Sequence, residues 1–213
     1  MNVVAFVLGL FLYKKFPREI KTVYYFVVFG AFTEAFMKVY IHYIAKNTLP
    51  IGHFYFPVAI LILGIYYIQV LKGYIKPIWI ITILSVYIIY CITNVIFIQG
   101  LFQYPSITGS LGALILFLFS VVFFTKVMAE AKIDKLSSNP YIWINSGILF
   151  YYSIGFFNHS LFNLRFKASM ELVYFAANTY SLVNQFFYII IIIGFILAAR
   201  EKRDMIHKIN PRL

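Results

Sequence analysis

Long apolar runs separated by short clusters of Lys, Arg, Pro and Gly set the rhythm of this chain. A hydrocarbon core of about 30 Å takes about 20 residues of helix at 1.5 Å rise, so runs of that length predict membrane-crossing helices. Cutting at the charge and Pro/Gly clusters leaves seven segments, roughly 2–13, 22–44, 54–71, 78–98, 108–128, 141–161 and 172–199. The first makes only about 18 Å of helix, so it reads as a half-span or as the remnant of a helix that starts upstream of Met1. Its cations follow it and no small-residue cleavage site is present, which predicts a retained helix and not a secretory signal.

The cations orient the segments. Lys14, Lys15, Arg18 and Lys21 follow the first segment, and short loops rich in Lys and Arg stay cytoplasmic. The same side then receives Lys72, Lys76, Lys126, Lys132, Lys135, Arg200, Lys202, Arg203, Lys208 and Arg212. The other side holds only Lys46, Arg165 and Lys167. The expected architecture is an all-α polytopic bundle of seven transmembrane helices, the first one short, with the N-terminus out and the C-terminus in. Residues 1–199 form the bundle and 200–213 a basic cytoplasmic tail, with the cell (inner) membrane as the location.

Composition agrees with this and narrows the chemistry. The chain is 62% apolar and 12% charged, against about half and a quarter in soluble domains, so a water-soluble globule is ruled out. The net charge of +11 is strung between apolar runs and not gathered on one face, which argues against nucleic acid as a partner. The single Cys91 permits no intramolecular disulfide and no Cys-based metal signature. The 24 Phe and 18 Tyr fit biased composition better than ligand boxes. The basic tail suits anionic headgroups and serves as a topological anchor.

Ionisable side chains cost about 2.5 to 3.5 kcal/mol at mid-span, so each asks for a reason. Glu34, Lys38 and His42 are spaced four and four, which puts them on one face of the second helix. In the seventh, Tyr174, Asn178, Ser181 and Gln185 form a hydrogen-bonding stripe; in the sixth, Asn145, Tyr152 and His159 share a face; His53 opens the third. These residues predict an outward-opening polar pocket among helices two, three, six and seven, with Glu34, Lys38, His42, His53, Tyr152, His159, Asn178, Ser181 and Gln185 as ligand contacts. The structural alternative is that Glu34 and Lys38 neutralise each other and the amides fasten helices together.

Catalytic readings find less support. Gly109, Ser110, Leu111 and Gly112 give the order Gly-Ser-x-Gly where an intramembrane protease of the rhomboid type has Gly-x-Ser-Gly, so Ser110 is misplaced relative to His159. A zinc hydrolase reading of His42, His53 and His159 lacks HxxxH or HExxH spacing. Retinal chemistry needs a Lys in mid-span of the last helix, and 172–199 has none. No catalytic residue, metal or cofactor is assigned.

The stretch Asn139-Pro-Tyr-Ile-Trp-Ile-Asn-Ser-Gly-Ile-Leu-Phe-Tyr-Tyr152, with Pro-x-x-Trp-Ile-Asn-Ser-Gly at Pro140 to Gly147, resembles a family of uncharacterised seven-helix membrane proteins common in Bacteroidota. Leu12-Tyr13-Lys14-Lys15 and the Thr33-Glu34 pair add to the likeness, which covers most of the chain. The resemblance implies the seven-helix fold and a longer first helix in relatives; it brings no activity. The expected function is a membrane sensor or accessory protein, with the bilayer, a small polar ligand and a cytoplasmic or membrane signalling protein as partners. The alternatives are a transporter or oligomeric pore, weakened by the absence of internal repeats, and, further off, a membrane-embedded lipid enzyme.

Overall fold

The computed structural model describes residues 1–44, 47–130, 135–162 and 170–209, with side chains in the last stretch at 171, 174 and 177–200. Lys46, Lys132, Arg165, Lys167 and Arg212 lie outside the described residues, as do the side chains of Lys202, Arg203 and Lys208. Among the described residues seven α-helices follow in chain order: α1 (Asn2–Leu12), α2 (Arg18–Tyr43), α3 (Leu49–Val70), α4 (Pro77–Phe97), α5 (Ser106–Glu130), α6 (Pro140–Ser160) and α7 (Met170–Ile209). Each answers one of the seven predicted segments.

Proline opens several of these helices. Pro77 and Pro140 open α4 and α6, and Pro50 lies in the first turn of α3, where a missing N–H costs nothing. Asn139 caps α6 by accepting from the Tyr141 and Ile142 amides at 2.9 and 3.3 Å. Gly73, at φ 84°, makes the turn between α3 and α4. α7 runs past the expected end at 199 to Ile209, because neither Gly nor Pro interrupts the sequence before Pro211.

Five helices, α2, α3, α4, α5 and the Ala177–Arg200 part of α7, are long and apolar enough to cross a membrane, and by length and composition this is a membrane protein. α1 is too short for that, and α6 is long enough yet more polar. The reason lies in its position. α6 packs along both α5 and α7, burying Asn145, Asn158 and His159 against protein, so its polar groups need not face lipid.

Around the bundle, α2 packs on α3, α3 on α5, α5 on α6 and α6 on α7, while α4 lies outside against α3 and α5. α1 is wedged between α2 and α7 and closes the ring. Hydrogen bonds fix the two ends. At the basic end, Lys126 at the end of α5 donates to the carbonyls of Val70 and Lys72 at 2.7 and 3.3 Å, and Tyr141 at the start of α6 donates to Glu19 at the start of α2 at 3.3 Å. At the far end, His53 at the start of α3 meets the α4–α5 connection, as does His159 at the end of α6.

α1 covers only the basic half of this ring. Its eleven residues give about 16 Å of helix, and its first turn ends beside Gly30, halfway along α2. Every buried residue of α2 lies between Ile20 and Gly30. On α7, the described side chains before Val183 are exposed, save for half-buried Tyr180. Above the end of α1, the far halves of α2 and α7 therefore carry mostly exposed side chains.

Candidate functional site

The structure does not gather the nine expected contacts into one pocket. Glu34, Lys38 and His42 share a face of α2, as their spacing requires, but all three are exposed on the half of the helix that rises past α1. Asn178, Ser181 and Gln185 are exposed on the matching half of α7. His53, Tyr152 and His159 are instead buried, at 6%, 8% and 5% exposure. The physical reason is the length of α1: helix periodicity put the polar residues on common faces, and the end of α1 at Gly30 left two of those faces uncovered.

Glu34 and Lys38 do not neutralise each other directly. Among the described residues the one ion pair is Lys126 to Glu130, at 3.9 Å. Glu34 lies one turn beyond the point where α2 meets the hydroxyls of Tyr55 on α3 and Tyr188 on α7. One turn below it, Gly30 leaves room where those hydroxyls converge. A methyl group at Gly30 would lie 3.3 Å from both Asn2 Nδ2 and the Tyr188 hydroxyl, and 3.8 Å from that of Tyr55.

Asn2 is 4% exposed, and both of its side-chain polar atoms lack a hydrogen-bond partner. An amide buried without partners costs about 1–3 kcal/mol, so this position asks for water or a ligand. Asn2, Tyr55 and Tyr188 thus form a polar cluster around Gly30, one turn from Glu34. Sequence reasoning missed these three. Among so many Tyr and Phe no single aromatic stood out, but Gly30, one turn before the acid, was a readable signal of close approach.

The buried residues form a separate, closed network at the far end. The His159 Nδ1 is hydrogen-bonded to the Tyr104 hydroxyl at 2.7 Å, and Phe56 meets the imidazole edge-on at 5.0 Å. Gly109 makes this possible, since a methyl there would sit 3.1 Å from the ring. Next to it, Ser160 donates to Ser110 at 3.0 Å and Ser110 donates to the Ser106 carbonyl at 2.7 Å. The Ser110 hydroxyl is therefore engaged in joining α5 to α6.

Gln99 ties the α4–α5 connection by donating to Ser106 at 2.9 Å and accepting from Asn94 at 3.2 Å. His53 Nε2 donates to the Gln103 carbonyl at 2.9 Å, leaving a buried Nδ1 without a partner. Among the described residues no three His, Cys, Asp or Glu side chains converge as a metal site. Deeper in the bundle, the Asn145 side chain donates to the Tyr66 hydroxyl at 2.6 Å, and the Asn145 backbone carbonyl accepts from Ser120 at 2.9 Å. These bonds hold helices α3, α5 and α6 together in a region where an unmet polar group is costly.

A third polar feature lies at the basic end. A cavity of about 220 Å³ is lined by Glu19, Gln69, Lys126, Glu130, Asn139 and Tyr141. Its ammonium is already committed, because Lys126 caps the last carbonyls of α3.

No family model, no curated protein and no solved structure matches this chain. Its functional reading therefore rests on the geometry.

Proposed function

We propose that this chain is a membrane sensor or accessory protein of the cell (inner) membrane. In this reading all seven helices belong to one transmembrane bundle, with the N-terminus outside and the basic tail inside. The seven-helix Bacteroidota family that its Pro140–Gly147 signature resembles is part of the same proposal. In the same reading a cleft between the far halves of α2 and α7 admits a small polar ligand from outside, with Glu34, Lys38 and His42 on one wall and Asn178, Ser181 and Gln185 on the other. Asn2, Tyr55 and Tyr188 supply the floor.

One observation carries this reading: ionisable and amide faces stand exposed on two apolar helices above the end of α1. Such groups within membrane spans face protein or a water-filled cavity in nearly all cases. A cleft occupied by water or ligand satisfies that requirement. α7 gives the site an output, because it lines the cleft and continues as one helix of 40 residues to the basic end. A ligand that fits one tilt of α7 better than another shifts its population, and the tail presents that shift to a signalling partner.

The test is cysteine accessibility in a Cys91→Ser background. Lys38→Cys and Gln185→Cys should react with a membrane-impermeant maleimide on intact cells, while Lys15→Cys reacts only after permeabilisation. Two inert cleft cysteines would mean that lipid fills the cleft, and the ligand reading fails. Reaction of Lys15→Cys from outside would reverse the orientation.

A further inference from the structure

On the opposite half of α1 a second surface has a different chemistry. An open groove of about 690 Å³ runs between α1 and α7, lined by Val3, Val7 and Phe11 of α1 and Ile196 of α7, with Lys15 and Arg200 at one end. Its walls are apolar and largely exposed, Phe11 at 79%. Both cations lie at the basic end, where the apolar window of α7 closes at Arg200.

We infer that this groove is a binding site for one anionic phospholipid of the leaflet at the basic end. Three features fit a lipid and not a soluble ligand. From Val3 to Lys15 the groove is roughly 18 Å long, comparable to the ~15 Å half-thickness of the hydrocarbon core. Its walls offer an acyl chain contact and no hydrogen bonds. Its charge is confined to the end where a headgroup would sit, and it is positive, which selects a phosphodiester without a compensating amine.

A docked protein helix would not need two cations at one mouth, whereas basic pockets between membrane helices are suited to anionic headgroups. The inference concerns α1 and α7 at the basic end and is independent of the far-half cleft.

The full chain reconstituted in nanodiscs of phosphatidylcholine with a minority of phosphatidylglycerol, then released into mild detergent for native mass spectrometry, tests this directly. One retained phosphatidylglycerol per chain is expected, enriched over its share of the bilayer by about tenfold or more. Lys15→Gln with Arg200→Gln, both on exposed positions, should lower that enrichment by about fivefold or more, toward the bilayer's own share. Arg203→Gln with Lys208→Gln should leave it in place.

Val7→Trp should fill the groove and abolish retention of either lipid; if that variant does not fold, Val3→Phe serves the same purpose at the groove's apolar end. Equal retention of both lipids by the wild type would overturn the inference. So would enrichment that follows the tail variant instead of Lys15 and Arg200, or a lipid-free dimer as the retained species.

Discussion

The two halves of this bundle solve the membrane problem in opposite ways. In the basic half, α1 completes a ring, and Ala5, Ile20, Val23 and Phe195 are all fully buried. In the far half, polar faces of α2 and α7 stand uncovered beside a hydrogen-bonded network around His159. The same chain thus spends its small and apolar residues on packing at one end and its polar residues on an accessible wall at the other. Stability and access are divided along the helix axis, not among separate domains.

Substitutions can break or sharpen that division. The largest effect is expected at a close contact between α6 and α7. A methyl at Gly194 would lie 2.7 Å from Ile144 and 3.4 Å from the Pro140 carbonyl, so Gly194→Val should cost about 1–3 kcal/mol in thermal or denaturant unfolding in detergent. Ala35→Val, on the exposed half of α2, should stay within about 0.5 kcal/mol. Equal losses for the two would erase the distinction between the halves.

Next comes the buried amide. Asn145→Leu removes the donor that reaches Tyr66 and should cost about 1–2 kcal/mol, near the upper range for polar contacts between membrane helices. Adding Tyr66→Phe should then cost less than it does alone, because the partner is already lost. Strict additivity would show that this bond contributes nothing.

A smaller loss, about 1 kcal/mol, is expected for Gly109→Ala, since its methyl would press on the imidazole of His159. Pairing it with His159→Ala should relieve the crowding; no relief would place the strain elsewhere. The smallest effects belong to the cleft. Glu34→Gln and Lys38→Gln should leave stability within about 0.5 kcal/mol. A large loss in either would mean that the wall is structural.

The helices were readable from sequence because bilayer thickness fixes their length and charge clusters mark their ends. Even α6 was found, although its hydropathy is modest, because Pro140 precedes it and Arg165 and Lys167 follow it in the sequence. What one helix cannot reveal is which of its faces another helix covers. Glu34, Lys38 and His42 were correctly placed on a common face, yet their exposure depends on α1 stopping beside Gly30, a tertiary fact. The short first segment held that information in length alone. The seat of His159 was also present in the sequence, at Gly109, where the pattern was read for catalytic order instead of for the space a glycine leaves.

α7 also has the proportions of a lever arm. Forty residues at 1.5 Å each make a rod of about 60 Å, twice the hydrocarbon thickness. Pivoting by about 5° around its midpoint, such a rod swings each tip through roughly 2.5 Å, a distance comparable to half a helical turn. Because no proline or glycine breaks the segment between Gly194 and Ile209, motion begun beside Ser181 has no hinge in that stretch at which to dissipate before it reaches the cytoplasmic face of the proposed topology.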